Sequence, residues 1–349
     1  MVEVKPVSKE WLERARAYHD QLTKPAGSLG FLEELGVRLA AIAQTLKPRL
    51  GPGAVVVCVA DHGVVAEGVS AYPAEVTAQM VWNFVRGGAA INQVARACGA
   101  VVRVLDVGVA SAVEAPGVVD RKVRPGSGNI AREPAMTLAE AEAALQAGME
   151  MAREAIREGA TLLAAGDMGI GNTTAAAALS AALLGLPAEA VTGRGTGVDE
   201  AGYARKLGAV RAALARAESR LGGFSRAEPL ALLAELGGLE IAAAAGVFLA
   251  GAEAGLPVVA DGFPVTAGAL LAVRMVPEVR DYLFAGHRSV EPGHARQLEA
   301  LGLRPILELD MRLGEGTGAV LSFPVLRAAA EVISGMATFA EAGVSGREG

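Results

Sequence analysis

The chain has 349 residues, room for roughly two domains of about 150 residues or for one large α/β domain with an appendage. Its 32 Lys and Arg stand against 38 Asp and Glu, a formal charge of −6, so it lacks the basic footprint of a general nucleic-acid binder. With 52% hydrophobic residues, 20% charged residues and 44 glycines that follow no Gly-x-y period, it is neither a disordered acidic chain nor a collagen.

The N-terminal segment MVEVKPVSKEW has no apolar h-region, so no signal peptide is expected. Residues 8–20 read as a short helix, with Ser8 as N-cap and Trp11, Leu12, Ala15 and Tyr18 at helical spacing. The loop LTKPAGSLG (22–30) leads to a second helix over 31–45, which stops before Pro48. The first strand is AVVVCVA (54–60), apolar on both faces as a helix-covered parallel sheet requires. It ends in Asp61-His62-Gly63, and helices over 73–86 and 89–98 follow. Pro73 suits a first turn, where its missing N–H does no harm. The second strand is 101–107, and residues 108–135 read as a long Gly- and Pro-containing loop. The capping box Thr137-Leu-Ala-Glu140 opens a helix to about residue 157. Strand three, 161–165, runs through Gly166-Asp167-Met168-Gly169-Ile170-Gly171-Asn172-Thr173-Thr174 into an Ala-rich helix. A helix covers 199–218. Strands at 257–260, 282–285 and 305–309 end in Asp261-Gly262-Phe263, Gly286-His287 and Asp310. The last helices span 319–331 and the final residues.

Cys58 and Cys98 are too few for a disulfide scaffold or a four-ligand zinc site and read as core thiols. The longest apolar stretch, 241–256, is interrupted by Glu253 and several Gly and is too short to span a bilayer. A cytoplasmic protein without a membrane span is expected. Short apolar strands alternating with long helices predict an α/β fold, a doubly wound, mostly parallel Rossmann-like sheet, with its ligand beyond the strand carboxyl ends. A TIM barrel is the rival, but it needs eight βα units and only about six are visible.

The run GDMGIGNTT (166–174) follows a strand and opens a helix. Gly169 and Gly171 permit a tight turn, and Asn172, Thr173 and Thr174 add donors beside the free N–H groups of a helix start, which suits a phosphate or carboxylate. It is neither a Walker A loop nor the dinucleotide fingerprint. A second loop, Gly193-Arg194-Gly195-Thr196-Gly197, suggests a backbone nest with a cation, and Lys206 can reach back to it from the next helix. Two such loops suggest a ligand with two anionic groups. Leu313-Gly314-Glu315-Gly316 sets a carboxylate between glycines that let the chain turn sharply. In a dry pocket such a Glu gains proton affinity and can act as general base. Before the third helix, Ser70 and Tyr72 precede a face on which Gln79 can bond a ring nitrogen and Met80 can line a flat aromatic ligand. The histidines form no compact metal signature, so neither a metal nor a cofactor is expected, although His287 can face the site.

Together these runs resemble the nicotinate-nucleotide–dimethylbenzimidazole phosphoribosyltransferase family, which works in cobalamin lower-ligand synthesis. The likeness is carried by KPAGSLG (24–30), ADHGVVAEGVSAYPAEVTAQM (60–80), GGAAINQVA (87–95), GDMGIGNTTAAAAL (166–179), GRGTGVD (193–199), ADGF (260–263), GHRSVEPGH (286–294) and LGEGTGA (313–319), in order along nearly the whole chain. It implies transfer of a phosphoribosyl group from nicotinate mononucleotide to 5,6-dimethylbenzimidazole, with inversion at C1′ and release of nicotinate. It implies a homodimer whose site is completed at the subunit interface. It also implies a large domain over 49–324 and a small helical domain from both chain ends, 1–48 and 325–349.

By the same resemblance, Glu315 falls at the general base, and Asp167 stands where the family pattern often has a Glu one methylene longer. Asp167 is expected to face the cleft and support positive charge on the ribose. Ser70, Tyr72, Gln79, Met80, Met168 and Leu313 would form the acceptor pocket. Gly169, Gly171, Asn172, Thr173, Thr174, Arg194, Gly195, Thr196, Lys206 and Asp261 would hold the phosphate and nicotinate. The alternative is a nicotinamide-dependent oxidoreductase, which needs a Gly-x-Gly-x-x-Gly after strand one where this chain has Asp61-His62-Gly63. A non-enzymatic interaction protein would not need a Glu framed by glycines beside two anion loops.

Overall fold

The computed structural model describes residues 2–345; residues 346–349, part of the expected C-terminal helical segment, lie outside the described residues. Its centre is one seven-stranded sheet: β1 (Gly53–Ala60), β2 (Ala100–Gly108), β3 (Val118–Asp120), β4 (Leu162–Met168), β5 (Val258–Ala260), β6 (Leu283–His287) and β7 (Pro305–Leu307). The order is β3-β2-β1-β4-β5-β6-β7 and every pairing is parallel. This is the expected doubly wound sheet, and its open edges exclude the barrel. All eight residues of β1 are buried, which explains its unbroken apolar run.

Two readings change. The stretch 108–135 is not wholly loop, because Val118–Asp120 pairs with β2 as the edge strand. Strand β4 continues to Met168, so Asp167 lies on the strand rather than after it. Helices also occupy Pro229–Leu236, Leu239–Glu253, Phe263–Met275 and Pro292–Leu301, where no periodic pattern announces them. The helix Leu239–Glu253 shows why: nearly every side chain is buried, so it is apolar all round. It crosses the helix Leu138–Arg157 at two glycines. A Cβ on Gly148 would lie 1.9 Å from the Ala243 carbonyl oxygen, and one on Gly246 would lie 2.0 Å from that of Leu145.

Helices from both chain ends pack together. Lys9–His19, Phe31–Ala43 and Phe323–Gly335 share a small apolar cluster of Ala15, Val37, Ala40 and Ile333 apart from the main core. Ser8 caps the first of them, accepting the Trp11 N–H at 3.4 Å. Thr317–Gly335 has the length and apolarity of a membrane span, but half of it is buried within the chain and it breaks at Ser322.

Candidate active site

A cavity of about 540 Å³ opens beyond the carboxyl ends of the strands, close to where the strand order reverses between β1 and β4. Its walls come from Val76 and Met80 of the helix Val76–Val85, from the end of β4 and the turn after it, from Gly195 and Thr196, and from Asp310 to Glu315.

Glu315 is 4% exposed, and its Oε2 accepts the Ile91 N–H at 3.1 Å. Ile91 lies in the first turn of the helix Ala90–Cys98, where unpaired N–H groups and the helix dipole favour a carboxylate. Burial nevertheless raises the proton affinity of Glu315; the Ile91 bond opposes this and Asp261 adds to it. Gly314, Glu315 and Gly316 all take positive φ, at 86°, 63° and 87°. A non-glycine residue there stores on the order of 1–3 kcal/mol and persists only when its surroundings fix it. They do so through three bonds. Glu315 N–H donates to the Asp167 carbonyl at 3.1 Å, and the Asp261 carboxylate accepts Gly316 N–H at 3.1 Å and Ala319 N–H at 2.9 Å.

Asp167 accepts from Asn172 Nδ2 at 2.7 Å through Oδ2, while its Oδ1 is buried without a partner. Burial first, then Asp261 and Glu240, push its carboxyl well above the usual range; Asn172 pulls the other way and Glu315 adds a smaller push. This shift favours the neutral carboxyl over the anionic form that the expected role calls for.

The two Gly-rich loops meet at one point. Lys206 is buried and donates from Nζ to Thr173 Oγ1 at 2.7 Å. A Cβ on Gly195 would stand 2.7 Å from both of those atoms, so only Gly lets the second loop close on the first. Burial lowers the Lys206 amine to about 8, with Glu291 opposing. Glu291 accepts the Gly195 N–H at 2.8 Å, taking up one donor of the expected nest. The two loops therefore meet around one buried amine, that of Lys206.

A phosphoribosyltransferase family model (DBI_PRT) matches residues 4–344. The nicotinate-nucleotide–dimethylbenzimidazole phosphoribosyltransferase of Thermus thermophilus is 66% identical over 96% of this chain and 98% of its own length. The chain belongs to the nicotinate-nucleotide–dimethylbenzimidazole phosphoribosyltransferase family. Members so named from Chromobacterium violaceum and Chloroflexus aggregans are 54% and 51% identical, over 98% and 97% of this chain and 98% and 95% of their own. A crystal structure of the Thermus thermophilus protein superposes with a TM-score of 0.92 at 63% identity, covering 97% of this chain and 100% of that one. A second, of CobT from the same organism, gives 0.93 at 65%, covering 96% and 99%. The chain is thus a pentosyltransferase, and an oxidoreductase finds no support among these relatives.

Within this family fold, the cavity gathers Tyr72, Met80, Asp167, Met168, Gly169, Asn172, Thr173, Gly195, Thr196, Leu313 and Glu315. Other candidates stand outside it. Gln79 is exposed on the helix that places Met80 inward. Ser70 Oγ accepts the Tyr72 N–H at 3.1 Å and so shapes the turn that presents Tyr72. Gly171 packs against Val65 and His62, and Thr174 Oγ1 is buried without a partner. Arg194 turns to solvent, paired with Glu200 and stacked on Tyr203, so it is not the cation of the cavity. Asp261 lies behind the Glu315 loop and holds backbone rather than ligand.

The structure adds groups that residue-by-residue reading missed. Thr77 Oγ1 accepts the Ile170 N–H at 3.1 Å and fixes the turn after β4. His62 Nε2 lies 2.8 Å from Glu240 Oε1, and the ring packs under Gly169. Burial lowers the His62 proton affinity, but Glu240 and Asp61 outweigh it and leave it raised. Ser289, Glu291 and Arg312 line the cavity beside His287, the one of the four that the sequence allows to face the site. Ser289 and Glu291 lie in GHRSVEPGH, whose polar density was the available signal.

Proposed function

We propose that this chain moves the 5-phosphoribosyl group from nicotinate mononucleotide to 5,6-dimethylbenzimidazole, giving α-ribazole 5′-phosphate and nicotinate. The observation that carries the reading is Glu315. It is a buried carboxylate of raised proton affinity, held rigid at the wall of a cavity whose Thr173 is backed by the buried Lys206 amine at 2.7 Å.

Lys206 and Thr173, with the turn that opens the helix Asn172–Leu184, hold the phosphate. The flat acceptor lies among Met80, Met168 and Leu313. One ring nitrogen attacks C1′ from the face opposite nicotinate. The C1′–N bond to nicotinate breaks and its electron pair returns to the pyridine nitrogen, so the ring leaves neutral. The other acceptor nitrogen gives its proton to Glu315, which spares the product a positive charge. Attack from the opposite face inverts C1′. Tyr72 and Leu313 are 53% and 58% exposed at the cavity mouth, and the expected homodimer would cover them. Sedimentation velocity of the active protein tests that assembly: a fully active monomer at micromolar concentration overturns it.

The reaction is tested by incubating the protein with both substrates and resolving the products by chromatography and mass. Equal amounts of nicotinate and α-ribazole 5′-phosphate are expected. Nicotinate without a ribosylated acceptor would reduce the activity to hydrolysis.

A further inference from the structure

We infer that Arg312 binds the ring carboxylate of the donor and sets the preference for a nicotinate over a nicotinamide nucleotide, an inference that rests on the donor assigned above. The cavity wall carries four carboxylates, Asp167, Glu291, Asp310 and Glu315, and among the described residues Arg312 is the one Lys or Arg lining it. The donor brings a phosphate and a carboxylate. Lys206 and Thr173 serve the first, and because the two glycine loops meet around that one amine, neither is left for the second. A carboxylate entering a wall of four acids needs its own cation.

Arg312 is free for that task. It is exposed on the rim and forms no ion pair or hydrogen bond among the described residues, whereas Arg194 and Arg288 nearby are paired with Glu200 and Glu308. Its backbone is held: Met311 accepts the Val290 N–H at 3.3 Å, and Leu307 accepts that of Arg288 at 2.8 Å, tying the segment to the end of β6. A guanidinium can grip a carboxylate through two parallel N–H bonds, which a neutral carboxamide cannot match.

The experiment measures kcat/KM for nicotinate mononucleotide and nicotinamide mononucleotide, with dimethylbenzimidazole as acceptor, in wild type, Arg312→Gln and Arg312→Lys. Inhibition by free nicotinate and by free nicotinamide is measured alongside. R312Q is expected to raise KM for the nicotinate donor roughly 10- to 100-fold, the range of a lost charge-assisted bond. The nicotinamide donor should change less than about threefold, nicotinate inhibition should weaken in parallel, and R312K should recover part of the loss. An equal loss with both donors would assign Arg312 to the phosphate that they share and overturn the inference. So would a variant that discriminates as the wild type does. Wild type that transfers from neither donor refutes the donor reading itself, which is a separate result.

Discussion

The carboxylate of Asp261 accepts the backbone N–H of Gly316 at 3.1 Å. It accepts that of Ala319 at 2.9 Å through its other oxygen, so one buried side chain fixes both ends of the turn that follows Glu315. Asp261→Asn leaves one acceptor and turns an NH₂ group towards the second N–H. Small displacements of a reacting group have large kinetic effects, so turnover should fall about 10- to 100-fold with little change in donor KM. Asp261→Ala leaves both N–H groups unmet, each a loss of about 1–3 kcal/mol if they stay dry. Urea unfolding and steady-state kinetics on the two variants check this; wild-type turnover in D261N would show that the turn holds its shape unaided.

Asp261 also shows what could be read from the chain and what could not. The strand that presents it, the chain reversal after it and the Gly-framed Glu315 are local features, and local sequence announces them. That Asp261 reaches across the sheet to Gly316 is a long-range contact with no local signature. The same holds for Glu315 meeting the first turn of the helix Ala90–Cys98. Lys206 was legible because its helix starts at a capping Asp199, which fixes its phase relative to the loop. Arg194 misled because a cation in a Gly-rich loop looks like a ligand group, while Glu200 six residues on supplies its partner. The helix Leu239–Glu253 was obscure because a fully buried helix has no polar face to mark its period.

Lys206 is held at about 8 in the free protein against an ordinary value of 10.5. Between those values the unfolded chain binds the extra proton, so stability rises as pH climbs from about 8 towards about 10.5. Below that window the buried ammonium is a net burden. Lys206→Met should therefore stabilise the free protein near neutral pH, by about 1–3 kcal/mol, and flatten the alkaline rise. It should also raise donor KM at least about tenfold through loss of the charged donor. Denaturation curves from pH 7 to 10 and donor kinetics test both halves, and a destabilised variant with normal KM would contradict them.

Burial first, and then the neighbouring carboxylates of Asp261 and Glu240, hold the proton affinity of Asp167 well above the usual range. Asn mimics its protonated form closely. Asp167→Asn should match wild type at the acid end of the activity range and fall behind as pH rises and the native carboxyl ionises. Glu315 titrates in both proteins, and its coupling to Asp167 is the smaller of the influences on that carboxyl, so the ratio of the two rates reports chiefly on Asp167. A ratio that stays constant with pH would mean that the charge of Asp167 has no part in turnover.

Glu315 is the group on which the proposed chemistry turns. Acceptor attack at C1′ leaves a cationic ring unless the second nitrogen loses its proton, and a carboxylate about 3 Å from that N–H can take it as the bond forms. The step needs the ionised form. Burial raises the Glu315 pKa above its ordinary 4.5, so the rate should climb with pH through this raised value and then level off, and activity should fail as pH drops below it. A flat acceptor seated against the side chain removes further water and moves the limb upward again. Glu315→Gln retains the size and can still accept the Ile91 N–H through its amide oxygen, so the strained turn should survive. It cannot take a proton, and single-turnover rates should fall roughly 10²- to 10⁴-fold while acceptor affinity changes little. Glu315→Asp keeps the base but withdraws it by one methylene, so it should fall between the two with its pH limb intact. Turnover of E315Q within about threefold of wild type would hand proton removal to solvent or to another carboxylate, and Asp167, which already touches the same turn through its carbonyl, would be the next to substitute.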